Sequence, residues 1–595
     1  MKKFIFAMVL FLFSSGAALA QVNDYCHSGE IPTYIKWNIP KVYDGPAELP
    51  ERCVATHPWN MPSPGPTVDV AAGQDLQAAY NAAACGTILS LAHGNTWIGP
   101  YNFTAKGCDD AHWITIMSDG TLGYPGTRMI PANEPQLAAI VEQGSQSTTV
   151  GDHIRFLGIE WAQAPGTGVS YGLVGTSGAD HVVFERNYCH GNVAQEAQRC
   201  IQLNTGKYVA VIDSWLSEFH CIAVTGACSD AQAIGGGTGA VGDLISHSGP
   251  FKILNNHLEG SGENMMFGGG TADGCPKDIT ILHNDFIKPL SWNPSDPTYD
   301  AGGMTYIVKN LFELKNACRV LAEGNIFENN WGGFSQRGYA ILFTPKNQSG
   351  ANGTNLCPNC TVSDVTFRYN YITTAAGAFL TSSGASDNGG WSKGQRRTSI
   401  HDNVADNLQY SDCYGCGYSL FELGSGYSAT NPPPPSEVLF DVLIQNNDII
   451  AVGDLSPANI TSQLLNVGGP PLNALGIPRI RNVGFLNNVA ATQKSGMYST
   501  GGETNCMSFA PTPITPARDW ATCFVGKSPF TGNILVGYAK PQTDWPAGNQ
   551  FSPDFTSLFV NYNGGLGGDY HLIPGTTYTG GANIDLVSQY TAGVR

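Results

Sequence analysis

The chain is poor in charge, and most of the charge it carries is of one sign. Only 13% of its 595 residues are Asp, Glu, Lys or Arg, with 30 basic against 47 acidic, for a formal net charge of −17. That balance argues against nucleic acid as a partner, which calls for a basic face, and against simple capture by an anionic membrane. Long apolar runs are missing too. The one candidate, Phe4 to Phe13, is ten residues long, whereas a membrane-spanning helix takes about 20. It follows Lys2 and Lys3 and leads into Ala18-Leu19-Ala20, the layout of a secretory signal peptide cleaved after Ala20. Residues 1–20 are therefore read as a signal. The mature chain, at −19 without the two signal lysines, is expected to be exported, to the periplasm or beyond, with no integral membrane segment. The sequence also lacks a Walker-type phosphate loop, a His-Glu-x-x-His zinc motif and a Gly-x-Ser-x-Gly elbow. This disfavours nucleotide hydrolysis, zinc proteolysis and α/β-hydrolase chemistry.

Glycine, with 72 residues, and cysteine, with 16, are plentiful. The glycine content and scarce charge suit a long all-β body with many turns. An even cysteine count in an exported chain suggests disulfides. Close spacing favours Cys26 with Cys53, Cys85 with Cys108, Cys221 with Cys228, and Cys506 with Cys523. The pairs Cys357/Cys360 and Cys413/Cys416 could also be two halves of a zinc site, but their wide separation favours local disulfides.

A short unit recurs along the chain: apolar, any, apolar, two residues, Asn, any, apolar. It runs through Asn187, Asn256, Asn284, Asn325, Asn370, Asn403, Asn447 and Asn488, with Ser214 replacing Asn once and an earlier cousin at Ile154–Trp161. Apolar residues two apart share one face of a strand. An Asn at the following turn tolerates left-handed geometry and can stack into a ladder of amides. One coil cannot bury its own apolar face, so coils stack around a continuous core. The longer repeats imply loops inserted on one flank, where a binding face is expected. The fold expected is all-β, a single right-handed parallel β-helix over residues 67–595, with a closing segment at its end. A short capping helix is expected at Asp75–Ala79, followed by a first strand at Gly86–Leu91. A Pro-rich extended segment, residues 21–66, precedes the helix.

The stretches Leu76-Gln-Ala-Ala79, Gly86-Thr-Ile-Leu89 and Gly94 resemble the opening of pectate-lyase-like β-helix proteins. Lys309–Asn316, Glu323–Trp331, Glu263–Gly269 and Val365–Asn370 resemble an uncharacterised group of exported bacterial β-helix proteins. The superfamily resemblance implies polysaccharide lyases, glycoside hydrolases, esterases or non-catalytic adhesins, so activity must be argued from a site. Its signature residues are incomplete here. Val211-Ile-Asp-Ser214 carries Ser where pectate lyases have His, and Cys189-His-Gly191 only partly matches the Gly-His-Gly of polygalacturonases.

A uronate lyase needs a base and a positive group, Arg or Ca²⁺, on the sugar carboxylate. In so acidic a chain, Ca²⁺ held by carboxylates is the expected cofactor. A hydrolase needs two carboxylates flanking the bond. Three residues beyond the ladder positions, one row reads His190, Ser217, Glu259, Ile287, Glu328, Thr373 and Asp406. Coils stack at ~4.8 Å, which would put Glu259 and Glu328 about 9.6 Å apart, near the upper limit for an inverting pair. The candidate catalytic residues are therefore Glu259, Glu263 and Glu328. Lys315, Arg319 and His190 are the candidate sugar-binding residues, with Lys309 in the same basic cluster. The glycines after Phe267 would let a ligand approach the backbone. Trp292, Trp331, Trp391 and Tyr339 are candidate stacking platforms. The expected partner is a polysaccharide. The rival expectation is a non-catalytic surface or matrix scaffold.

Overall fold

The computed structural model describes residues 41–54, 56, 63–223, 225–239, 248–300, 302–332, 338–348, 356–382, 392–409, 419–424, 439–453, 462–468, 480–500, 520, 524, 526–537 and 541–595. Three long parallel sheets wind around one axis as a right-handed β-helix. Among the described residues sheet I has 14 strands, from Thr67–Val70 to Phe530–Thr531; sheet II has 14, from Thr96–Ile98 to Gln550–Ser552; sheet III has 12, from Asn102–Phe103 to Met497–Thr500. Each coil visits sheets I, II and III in turn, as in Asp180–Glu185, Tyr188–His190 and Arg199–Asn204.

The alternating apolar residues point inward and stack in register: Phe156 pairs with Phe184, which pairs with Val211. The result is one continuous core from Val70 to Tyr570 and beyond. Its aromatics form columns, with Phe156 on Phe184 at 5.3 Å and Phe286 on Phe327 at 4.5 Å. The helix Leu76–Ala82, N-capped by Asp75, buries Leu76 and Tyr80 at the open end. A strand at Thr67–Val70 precedes this helix, so the winding begins one strand earlier than the expected Gly86–Leu91.

The Asn ladder is present and longer than the repeat indicated. Each amide oxygen accepts the backbone N–H of its counterpart one coil earlier, continuing from Asn488 to Asn533 and Asn549. Ser214 keeps the ladder unbroken: its Oγ accepts from Asn187 N at 3.0 Å, and its own N donates to Asn256 Oδ1. The left-handed residue is not the Asn but the one before it, as at Arg186, Asp213, Asn255, His283 and Tyr369. That frees the Asn side chain to turn inward and bond along the axis.

After an early insertion at residues 119–137, the turn from sheet I to sheet II is two residues long in every coil from Asp180–Glu185 onward. In those later coils insertions therefore fall at both edges of sheet III: residues 288–309 before it, and residues 268–276 and 344–361 after it. The other two sheets are partly covered by chain ends. Residues 41–54 run across sheet I, where Glu48 N donates to Asp364 and Glu51 N to Asp278. The closing segment, with its helix Ile584–Thr591, folds back over sheet II, where Tyr570 donates to Asp406, Ala582 N to Asp448, and Arg595 pairs with Glu328.

Among the described residues five disulfides are formed. Cys85–Cys108 and Cys221–Cys228 match the spacing argument, and Cys189–Cys200, Cys275–Cys318 and Cys357–Cys360 add to them. The Cys357–Cys360 bond removes two of the four thiolates of the zinc reading; Cys413 and Cys416, like Cys26, Cys506 and Cys523, lie outside the described residues.

Candidate functional site

The six residues singled out from the sequence do not converge. Glu259, Glu328 and His190 lie on sheet II, Glu263 on sheet III, Lys315 at the bend just after a sheet III strand, and Arg319 on sheet I. The register argument holds on sheet II: Glu259 pairs with Ile287, and Ile287 with Glu328. Glu328 is engaged by Arg595 at 2.8 Å. His190 is bound to Glu160 at 3.1 Å. Arg319 makes a two-point contact with Asp278, at 2.7 and 2.9 Å, beneath the 41–54 segment. Asp213 of the Val-Ile-Asp-Ser stretch is buried and accepts from Asn255 and Gly126 N.

Sheet III brings charge together. Its strands Arg199–Asn204, Gln232–Gly236, Glu263–Phe267 and Asn310–Leu314 are consecutive, with Ile201, Ile234, Met265 and Phe312 in the core. The polar residues at the strand starts form a chain: Arg199 donates to Gln232, and Gln232 Nε2 donates to Glu263 Oε2 at 2.8 Å. Lys309, just ahead of the fourth strand, is ion-paired with Asp230 and lies 3.6 Å from Glu263. One step along, Lys315 Nζ is 3.6 Å from Glu313, which also accepts from Asn310 and Thr344. Three cations thus interleave with three carboxylates in a protein that is acidic overall.

Depth separates their roles. Glu263 is wholly buried, whereas the side chains of Asp230 and Lys309 are 29% and 14% exposed. Burial lifts the Glu263 carboxyl above the usual range. Burial works against the charge on Lys309, but Glu263 and Asp230 outweigh it and hold the ammonium protonated. The same balance, burial against Lys309 and Lys315, leaves Asp230 below its ordinary value. A cleft of about 360 Å³ opens beside these groups, lined by Arg199, Asp230, Gln232 and Gly268 to Gly270. The glycines are both cleft wall and tight corner: a Cβ on Gly268, at φ +106°, would meet Asn316 N at 2.8 Å.

Lys288 holds the corner from behind. Its buried ammonium donates to the carbonyls of Gly260, Ser261 and Gly262 and to Asn264 Oδ1, and burial lowers its pKa to about 7. This fixes the turn joining Glu259 to Glu263. Nothing local in the sequence marks Lys288. Arg199 and Asp230 were also missed, although registering the sheet III strands would have aligned Arg199, Gln232, Glu263 and Asn310.

Three of the expected aromatic platforms are corrected. Trp292 and Tyr306 of the 288–309 insertion are buried against Trp331, and Tyr339 is buried against Ser419 and Glu422, so none of the three offers a free face for sugar. Trp391 lies outside the described residues. Ca²⁺ takes six to eight oxygen ligands. At this cleft the carboxylates are engaged by the chain's own lysines, and among the described residues no group of three converges there. At this cleft the residues as placed do not form a Ca²⁺ cage.

On sheet II, His257 is held between Asp285 at 2.8 Å and Glu259 at 3.0 Å, with its ring stacked on Trp215. Glu218 donates its backbone N–H to Glu259. Burial, and then the charge of Glu259, push the Glu218 carboxyl up to about 7.

No family model matches the sequence, and no curated protein matches it. Among solved structures, an alginate lyase from Paenibacillus sp. str. FPU-7 is 13% identical with a TM-score of 0.36, covering 61% of this chain and 99% of that one. The PL6 family alginate lyase AlyGC is 13% identical with a TM-score of 0.42; this chain spans 59% of its length, with 89% of this chain covered. The catalytic unit of a GH87 α-1,3-glucanase from Streptomyces thermodiastaticus strain HF3-3 is 12% identical with a TM-score of 0.42, covering 81% and 67%. Likeness at this level carries no argument about activity.

Proposed function

We propose that the protein is an exported polysaccharide-binding enzyme that takes an acidic, uronate-type glycan along sheet III and cleaves it by β-elimination. The observation that supports this is the sheet III cleft itself, which Arg199 and Asp230 line, with Lys309 ion-paired to Asp230 beside it. A sugar carboxylate is attracted to the two cations, which stabilise the negative charge that grows on it as the neighbouring C–H proton leaves. Asp230 takes that proton. The electron pair forms the carbon–carbon double bond, the glycosidic C–O bond breaks, and the departing oxygen takes a proton from the Lys309 ammonium. Contact between Asp230 and Lys309 returns the proton and resets the pair. Glu263, buried beneath, positions Lys309 and Gln232.

The test is a panel of uronate and neutral polysaccharides, read by the ultraviolet absorbance of unsaturated uronate ends and, in parallel, by reducing ends. Absorbance with polyuronates supports elimination. Reducing ends without absorbance would overturn it in favour of hydrolysis at sheet II. That second reading rests on the Glu218–Glu259 contact, which sets a carboxyl suited to an acid beside a carboxylate held by His257. Glycan binding with no cleavage would favour the non-catalytic scaffold.

A further inference from the structure

Sheet I carries a column of left-handed residues, present in most coils, whose side chains stack outward. Lower in the column the neighbours are complementary: Arg319 on Asp278, Arg397 on Asp364, Asn482 on Asp441. At the top the same column holds His153, then His181, then Tyr208. The two imidazoles lie parallel, 4.8 Å between centroids and 10° between planes. Both Nε2 atoms face one carboxylate oxygen, Asp110 Oδ1, at 3.1 and 3.7 Å.

We propose that Asp110, His153 and His181 form a binding site for a divalent late transition metal, with Zn²⁺ as the representative ion. A Zn²⁺ ion sits about 2.0–2.2 Å from each nitrogen or oxygen ligand, so octahedral or tetrahedral angles put ligand atoms about 2.8–3.6 Å apart. The His153 Nε2 distance to Asp110 Oδ1, 3.1 Å, falls in that range, the His181 Nε2 distance, 3.7 Å, lies just beyond it, and all three donor atoms lie within 4.8 Å of one another. The donor set is two imidazoles and a carboxylate, which suits zinc, copper, nickel or iron rather than Ca²⁺ or Mg²⁺.

The supports of such a site are present. Asp180 Oδ1 is 2.6 Å from His181 Nδ1, the carboxylate–imidazole contact that directs the other ring nitrogen to a metal. Trp113, fully buried, sets its ring edge-on against both imidazoles, at 5.4 and 6.0 Å. Trp113 ends the short loop that carries Asp110, and the Cys85–Cys108 disulfide ties the other end of that loop to the winding. Asp110 is 52% exposed, which leaves the remaining coordination positions to water. A metal here would join this loop to two successive coils.

The experiment uses the whole secreted chain, stripped with a chelator and titrated with Zn²⁺ by calorimetry and with Co²⁺ by visible absorbance. One equivalent of Zn²⁺ and Co²⁺ bands of a nitrogen–oxygen site are expected. Asp110→Asn, at an exposed position, should weaken binding at least about tenfold, and Asp180→Asn about tenfold with stoichiometry kept. His153→Gln/His181→Gln should abolish it while circular dichroism stays that of a β-helix. If the wild type gives no Co²⁺ bands, or if Asp110→Asn binds Zn²⁺ as tightly as wild type, the site is wrong. Should the double histidine variant not fold, Asp110→Asn decides alone.

Discussion

Asn370 Oδ1 accepts two hydrogen bonds from Asn325, one from its backbone N at 2.9 Å and one from its side-chain Nδ2 at 3.0 Å. Both residues are fully buried. Asn370 in turn donates to Asn403 Oδ1 and Ala322 O, so it is at once acceptor and donor in a chain of amides along the axis. Asn370→Ala leaves these partners unpaired in the core, where each unsatisfied group costs about 1–3 kcal/mol. The variant should melt at a clearly lower temperature and unfold faster. Asn370→Ser should lose less, because Ser214 shows that a hydroxyl can still accept the backbone N–H. Equal losses for the two would contradict the ladder's role.

The ladder and the columns of alternating apolar residues were legible because every coil repeats them, and a repeat survives any uncertainty about loops. The charged site was less legible. Glu263 and Lys315 are visible as charged residues in the sequence, but their neighbours Asp230 and Arg199 arrive from earlier coils across insertions of unequal length. Sequence proximity also misled: Lys315 and Arg319 are four residues apart yet lie on opposite sides of a corner, Lys315 at the end of sheet III and Arg319 within sheet I, because the chain bends at Lys315 and Asn316. Burial of the tryptophans depended on what the 288–309 insertion covers, which no local pattern records.

Glu313 and Lys315 form a buried pair, and removing one member strands the other. Lys315→Met should destabilise by about 3–5 kcal/mol. Adding Glu313→Gln should restore much of that loss. Denaturant or thermal unfolding of the two single variants and the double variant measures the coupling, and simple additivity would show that the pair does not interact.

The 41–54 segment should loosen as the solution becomes alkaline. Burial opposes the charge on His401, but Asp402 and Asp44 on either side push its pKa up to about 9 from an ordinary 6.5. A pKa raised by folding contributes stability that is full below about 6.5 and lost as pH rises through about 9. Arg368 also holds Asp44 and does not titrate in this window, so the loss is partial. Proteolysis within the segment should increase across this range in the wild type and change little in His401→Gln. A flat profile in both would contradict this linkage.

Sheet II variants should separate the two readings of function. Glu328 is tied to Arg595 at the rim of the closing segment. Glu328→Gln and Glu259→Gln should therefore keep polyuronate cleavage within about threefold of wild type, less than 1 kcal/mol. A loss of a hundredfold or more in Glu259→Gln would move the chemistry to the Glu218–Glu259 contact.

The most direct measurement is the rate of polyuronate cleavage by folded Lys309→Met beside wild type, followed through the absorbance of unsaturated ends. Lys309 bridges Asp230 and Glu263 at the cleft, so its loss should lower kcat by about 10²-fold or more, the scale of removing one electrostatic stabiliser. A Lys309→Met enzyme that is folded and cleaves as fast as wild type would contradict the placement of the site on sheet III.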